Sequence, residues 1–469
     1  MVLDIVLLAQ VAYEDLPEST RFLETFVAES YYYWASVFML IIHVGFLAYE
    51  GGASRAKNVL ATMLKNLLTL STVGLAFYFF GWWTYWAFPL FPLNGGIIGP
   101  WTSASSGVDE TLLGYVQASY PWSEAMGPNM SDNLTGVFWF AFSLFAMTTA
   151  SILSGAVIER IRLGSYLILA TILGGFVWVV AAAWGWNYWG WFTTNFGYHD
   201  FGCSAVVHGV SGFFALGVLL NLGPRIGKYD ANGNPRAILP HNLPLTMVGL
   251  MLIFVGFYAF LAACVIISPE YTRETTIYDT PMTLASVAVN TTLALCAGII
   301  GAYIGSKADP FYTISGGLAG IISVGAGLDL YAPPLVILIA FIGALTMPWV
   351  GMFIEKIGID DAVGAFAVHG YCGMLGAMTV GVMATGYIQG ETYPAISFFG
   401  QLLGTFICTV ILGFIPGYGC SWVLKKLNVL RVSEIEEIEG LDLGEFGVQG
   451  YPEYSIVVGE EAPIGTVIK

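Results

Sequence analysis

The sequence predicts an all-α polytopic membrane protein of eleven transmembrane helices, built as a five-plus-five inverted repeat with one additional helix. Three observations carry that expectation. The 469-residue chain is 57% hydrophobic and only 10% charged, with a mean hydropathy of +0.73, far too apolar for a soluble protein of this length. The apolar runs are long and continuous rather than alternating, which favours spanning helices over a barrel. Finally, one pattern occurs twice, in Asp200-Phe201-Gly202-Cys203-Ser204-Ala205-Val206-Val207-His208-Gly209 and in Asp361-Ala362-Val363-Gly364-Ala365-Phe366-Ala367-Val368-His369-Gly370. A further glycine follows each copy, at Gly212 and Gly373. Ionisable groups inside a bilayer are costly, so a repeated one marks a functional position.

Spans are expected at about 26–48, 60–82, 134–158, 164–190, 200–222, 243–267, 283–304, 312–329, 333–353, 361–385 and 395–423. Residues 11–24 read as a polar surface segment before the first span. The long stretch after the second span holds Asp109, Glu110, Glu124 and Asp132 among aromatics, glycines and prolines. It reads as an outer loop with interfacial Trp and Tyr. Glu270 to Asp279 reads as another loop. The transmembrane domain is thus 1–424, with repeats at about 26–222 and 243–385 and the extra helix at 395–423. The acidic remainder, 425–469, reads as a cytoplasmic tail that either docks and regulates or is a solvated, loosely ordered end. The 57 glycines point to close helix packing through small faces.

Lysines and arginines set the orientation. With the N-terminus outside, the cytoplasmic loops and tail hold Arg55, Lys57, Arg160, Arg162, Arg225, Lys228, Arg236, Lys307, Lys356, Lys425, Lys426, Arg431 and Lys469. Arg21 and Arg273 alone stay outside. That bias puts the N-terminus outside and the C-terminus in the cytoplasm. The fifth span then starts from outside and the tenth from inside, the mark of an inverted-repeat transporter. Each histidine lies about 12 Å along its helix from its aspartate. Two histidines entering from opposite faces of a core about 30 Å thick can therefore meet near its midplane.

Other classes find little support. The formal net charge of -16 argues against nucleic acid and tolerates cations. None of the six cysteines forms a CxxC pair, so they read as apolar fillers rather than a disulfide framework or a zinc site. The apolar first ten residues lack the basic start of a typical signal peptide. Nothing forms a metal cluster, a nucleophile triad or a phosphate loop, so no enzyme and no cofactor is expected.

Taken with Gly51-Gly52-x2-Arg55-x-Lys57-Asn58, Gly155-Ala156-x2-Glu159-Arg160, Pro240-His241-Asn242-Leu243-Pro244, Asp360-Asp361 and the tail LRVSEIEEIEGLDLGEFG, the two Asp-x7-His-Gly segments make the chain resemble the ammonium transporter family. The likeness is to the Amt/Mep branch of the Amt/Mep/Rh superfamily and covers roughly 25–450. It implies a multi-pass, homotrimeric protein of the cell inner membrane that takes up ammonium, often under control of a cytoplasmic PII-type signalling protein. It also implies roles for residues. His208 and His369 match the twin pore histidines. Phe145 and Phe260 match a stacked phenylalanine pair closing the outer pore. Trp186, with Trp189 as a fallback, matches the Trp of an outer ammonium site. Asp200 matches a carboxylate near that site, structural or aiding deprotonation, and Asp361 is its counterpart in the other repeat.

Three positions depart from the family pattern. Cys264 stands where a recruiting serine is usual, Ala141 where a second aromatic is common, and Phe142 where a glutamine is common. A thiol is a poorer hydrogen-bond partner than a hydroxyl, so a weaker or rebuilt outer site is expected.

The function expected is recruitment and deprotonation of ammonium outside, passage of ammonia through a hydrophobic twin-histidine pore, and separate, electrogenic proton translocation. A dry apolar pore rejects any ion that must keep its charge, and ammonium can shed its proton. Two alternatives stay open: an ammonium sensor with little transport, and a channel for ammonia or another small neutral gas. Residue by residue, blander readings also stand. An interfacial belt accounts for Trp184, Trp186, Trp189 and Trp191. Asp200 and Asp361 are equally good helix caps. His43 reads as packing, His199 as a loop residue, His241 as an anchor of the sixth span, and Glu29 and Glu50 as solvated or paired groups near the ends of the first.

Overall fold

The computed structural model describes residues 17–93, 127–128, 133–267, 274–390 and 393–452. Within them the chain is helical, with only isolated β-bridges between loops. Ten helices are long and apolar enough to cross a membrane. They are α1 (Glu18–Ala53), α2 (Ala56–Ala87), α3 (Gly136–Ala156), α4 (Leu163–Gly185), α5 (Ser204–Leu222), α6 (Leu243–Ala262), α7 (Leu284–Gly305), α9 (Pro333–Lys356), α10 (Phe366–Met383) and α11 (Phe398–Lys426). A shorter apolar helix, α8 (Pro310–Gly325), lies between α7 and α9. Large apolar side chains such as Leu75, Ile300, Phe353 and Phe399 stay exposed, as they must where the solvent is lipid. The protein is a multi-pass membrane protein.

Several element bounds differ from those expected. The first helix starts at Glu18, inside the segment expected to be polar surface. Glu18 suits the positive end of a helix, and Phe22 and Phe26 extend the apolar face behind it. The eighth helix is 16 residues long, Pro310–Gly325, because Asp309 caps its start through Tyr312 N (3.0 Å) and Gly325-Ala326-Gly327 turns the chain at its end. The acidic residues Asp109, Glu110, Glu124 and Asp132, together with Arg273 and Lys469, lie outside the described residues.

Helices α5 and α10 begin after their aspartates, at Ser204 and Phe366, with first turns wound as π-helix over Ser204–Gly209 and Phe366–Tyr371. Their glycines explain the shared motif. A Cβ on Gly212 would lie 2.1 Å from Gly370 N, and one on Gly373 would lie 2.3 Å from Ser204 O. Only hydrogen fits at these crossings, so the two backbones touch there.

The tail is folded onto the body as far as residue 452, which overturns the reading of a loosely ordered end for that stretch. Helices α12 (Glu434–Glu439) and α13 (Leu441–Phe446) follow α11. Asp442 accepts from the first amides of α2, Ala61 N at 2.8 Å and Leu60 N at 3.1 Å. Glu445 accepts from Leu163 N at the start of α4 (2.7 Å), and Glu437 accepts from Ile226 N (2.7 Å). Lys57 Nζ donates to the carbonyls of Glu437 and Ile438. Carboxylates thus satisfy amides near the starts of α2 and α4, and one in the loop after α5, that would otherwise stay unpaired. Leu441 is fully buried beside Ala61 and Val432, so the acidic tail also has a small apolar anchor.

Candidate functional site

The site is built from the starts of α5 and α10. Asp200 is buried, and its oxygens accept from Ser204 N (2.6 Å), Ala205 N (2.9 Å), Val206 N (2.9 Å) and the Tyr198 hydroxyl (3.1 Å). It is therefore a cap that fixes the first turn of α5. Asp361 does the same for α10 through Phe366 N (2.7 Å). These caps, with the glycine crossing, set the two imidazoles edge to edge, their ring nitrogens facing. His208 Nδ1 and His369 Nδ1 are 3.0 Å apart, with ring centroids 5.2 Å apart. One Nδ1 must carry the shared proton and the other accept it, so the pair presents one Nε2 lone pair and one Nε2–H. His208 Nε2 is buried and has no hydrogen-bond partner among the described residues.

A column of rings leads away from the pair. Phe260 lies 6.1 Å from His208, Phe145 lies 4.3 Å from Phe260, and Trp186 lies 4.7 Å from Phe145. All three rings are buried. Phe145 and Phe260 meet at 62°, edge to face, and are not stacked as the resemblance implied. Phe260 instead stacks on Phe257, at 5.2 Å and 21°. Edge-to-face contact puts the positive rim of one ring on the negative face of the other and leaves no channel between them.

The outer residues divide. Trp186, not Trp189, packs on Phe145, and Trp178 stacks on the same ring at 6.5 Å. The Trp186 indole N–H donates to Phe201 O at 3.3 Å. Cys264 is buried and its thiol turns back on its own helix, donating to Phe260 O at 3.3 Å. Asp200 and Cys264 therefore have their polar atoms engaged with backbone. Phe142 fills the space left by Ala141, lying 5.3 Å from Trp186, 6.2 Å from Phe145 and 4.6 Å from Tyr85, while Tyr85 donates to Trp186 O at 2.7 Å. The aromatic missing at position 141 is restored one residue later and from α2. Sequence reasoning named Phe142 as an altered outer-site position but missed Tyr85 and Phe257 as members of this cluster, since aromatics are too frequent in the chain to single out.

The remaining ionisable residues also fall into place. His43 is buried beside Thr148 (3.4 Å) and Ser151 (3.5 Å). His199 lies in the loop before α5, as expected, but its ring is not free. It is buried between Gln389 (2.7 Å) and Asp329 (3.0 Å), with its ring on Tyr278, because the segment before α5 is pinned under neighbouring loops. His241 binds Ser54 O (2.8 Å), and Glu29 accepts from Asn133 (3.1 Å). Glu50, near the end of α1 as expected, is paired rather than solvated: it is 1% exposed and bonded to Ser154 and Asn66. An acid inside an apolar run was the signal for it.

On the tail-bearing face, the motif residues converge in one ion network. Arg225 binds Asp360 at 2.9 Å and Glu159 at 3.4 Å, and Arg55 binds Glu159 at 2.7 Å. Burial works against the Asp360 charge, yet Arg160 and Arg225 hold its carboxyl well below the usual carboxylate range. Burial likewise opposes Glu159, and Arg225 and Arg55 outweigh it to hold that carboxyl low. Burial pulls the Arg160 guanidinium down to about 10.

Comparison with known proteins agrees with the motifs. Residues 31–451 match the Ammonium Transporter Family profile. "Ammonium transporter Amt2" of Methanocaldococcus jannaschii is 31% identical, over 90% of both chains. "Ammonium transporter Amt2" of Archaeoglobus fulgidus is 30% identical, over 90% of this chain and 88% of the other. A solved structure, "Sensor Amt Protein", shares the fold with a TM-score of 0.73 at 24% identity, over 90% of this chain and 99% of that one. The chain belongs to the ammonium transporter family.

Proposed function

We propose that this chain carries ammonium nitrogen across the membrane as ammonia, with the proton moving separately. The observation that carries this reading is the imidazole contact, His208 Nδ1 to His369 Nδ1 at 3.0 Å, at the end of a buried aromatic column. Trp186, Phe142 and Phe145 hold the cation first, each good ring contact worth about 0.5–2 kcal/mol. The Phe145–Phe260 contact then excludes water and hydrated ions, because an unpaired charge in so apolar a space costs many kcal/mol. Ammonium sheds its proton there. Ammonia passes to the unshared Nε2 positions of the pair, which offer one acceptor and one donor, while the shared Nδ1 proton gives a route for charge. The engaged state of Asp200 and Cys264 supports a site that recruits by aromatic faces, with Asp200 setting the helix start.

The wider arrangement belongs to the same reading. Residues 1–424 form the transport body, with the N-terminus outside, and 425–469 form a cytoplasmic tail. Helix α8 counts as the eleventh span: its 16 residues cover about 24 Å of a core about 30 Å thick. Helices α1–α5 and α6–α10 form the two inverted halves, and α11 is the extra helix. Three copies make the working unit, and the tail-bearing face is where a PII-type protein docks. The test is an ammonium concentration jump on proteoliposomes holding the full chain. A saturable current with ammonium and none with potassium is expected. Binding of ammonium with no flux would make the chain a sensor, and flux of ammonia without current would make it a gas channel.

A further inference from the structure

Beyond the histidine pair lies a small cavity of about 20 Å³, lined by His369, Glu50, Tyr49, Ser315 and apolar neighbours. That volume holds a single molecule the size of water or ammonia. Glu50 is the one carboxyl on its wall. Ser154 Oγ lies 2.6 and 2.7 Å from its two oxygens, and Asn66 Nδ2 donates to it at 2.8 Å. A Cβ on Gly155 would come within 3.1 Å of Glu50 Oε1, so the carboxyl rests on bare backbone of α3. The groups facing it from the packed elements are Lys65 on α2, Tyr166 on α4, Tyr49 on its own helix and, across the cavity, His369; Asp361 before α10 is a neighbour of Tyr49. Lys65 is 1% exposed, and its Nζ has no hydrogen-bond partner among the described residues. It is an electrostatic neighbour of both Glu50 and Glu445.

We propose that Glu50 is the proton donor and cation-holding group on the tail-facing side of the histidine pair. The inference rests on the pore reading above. Ammonia leaving His369 enters the cavity and meets the protonated carboxyl. The Glu50 O–H bond breaks, a fourth N–H bond forms, and ammonium stands beside the carboxylate. The proton shed before crossing, relayed by the histidines, restores the acid. Lys65 offsets the carboxylate between turnovers and favours release of the cation. A buried carboxyl with a one-molecule cavity at its side, one ring away from the histidine contact, is placed for this step and for no other packing need that a glutamine would not meet.

The test uses the full chain in proteoliposomes, comparing wild type, Glu50→Gln and Glu50→Asp. Ammonium-evoked current is recorded across pH, and infrared difference spectra are taken on exchanging potassium chloride for ammonium chloride. Glu50→Gln is expected to cut current roughly 100-fold, as loss of a positioned proton donor does, and to remove one titrating limb of its pH profile. Glu50→Asp keeps that limb, displaced. Wild type shows an ammonium-induced carboxyl band that Glu50→Gln lacks. Wild-type current and pH profile in Glu50→Gln would overturn the proposal. So would an undisplaced limb in Glu50→Asp if the glutamine variant does not fold. Should wild type pass no current, the band decides: its presence keeps Glu50 as the cation site while the transport reading falls, and its absence overturns Glu50 too.

Discussion

Replacing Gly212 by alanine changes one hydrogen for a methyl and reaches the site through the backbone alone. Its Cβ would lie 2.1 Å from Gly370 N and 2.3 Å from Gly370 Cα, where ordinary contact begins at 3.4 Å. Both atoms are main chain, so no side chain can swing aside. Helices α5 and α10 must separate locally by about 1.3 Å, the difference between those distances. The imidazoles are now 3.0 Å apart, and a hydrogen bond is lost beyond about 3.5 Å. Less than half of the displacement therefore breaks the contact. Overpacking of this kind costs about 1–3 kcal/mol. The gain of roughly 0.5–1 kcal/mol from replacing a helical glycine offsets only part of it. Gly419→Ala on α11 is the control, because a Cβ there meets nothing within 4 Å. The assay is thermal unfolding in detergent followed by ammonium current in proteoliposomes. Gly212→Ala is expected to unfold earlier and lose current, and Gly419→Ala to do neither. A Gly212→Ala protein with wild-type stability and full current would refute the claim that the glycine crossing sets the histidine distance.

Three other outcomes follow from named contacts. Phe260→Ala removes a buried ring at a cost of about 3–5 kcal/mol and opens the column, so potassium should pass; potassium exclusion equal to wild type would contradict a seal made by Phe145 and Phe260. Asp442→Ala strips the cap from Leu60 and Ala61 and should cost about 1–2 kcal/mol, with faster hydrogen exchange at 434–446 and at the start of α2; unchanged exchange would mean that Leu441 holds the tail by itself. The ion network adds a pH dependence. Asp360 and Glu159 titrate below their unfolded values, so their stabilisation is full above about pH 4 and fades as pH falls through that value toward the depressed ones. Melting temperature should drop on acidification below about pH 4, and Asp360→Asn should flatten that drop; a parallel pH curve in the variant would contradict it.

Much of this was readable in the chain because bilayer physics leaves few choices. Long apolar runs must be helices, and a histidine kept inside two of them must have a reason. The spacing of Gly212 and Gly373 was visible, but its meaning was not, since only the crossing geometry shows that each meets backbone of the other helix. Glu50 was seen and undervalued: its position in α1 gave no hint of which wall it faced. Phe145 and Phe260 were separable from the other phenylalanines only by resemblance, and their edge-to-face angle lies beyond any pattern of residues. The tail was ambiguous because Asp442, Glu445 and Glu437 look like solvated acids until α2, α4 and the Ile226 amide are seen beneath them.

The central claim is that ammonium nitrogen crosses past His208 and His369 while charge moves with it. The direct measurement is simultaneous recording of current and nitrogen flux in proteoliposomes after an ammonium jump, for wild type, His208→Ala and His369→Ala. The account predicts coupled charge and nitrogen movement in wild type, with the coupling changed by either substitution. Nitrogen flux with no charge in wild type, or identical coupling in all three proteins, would contradict it.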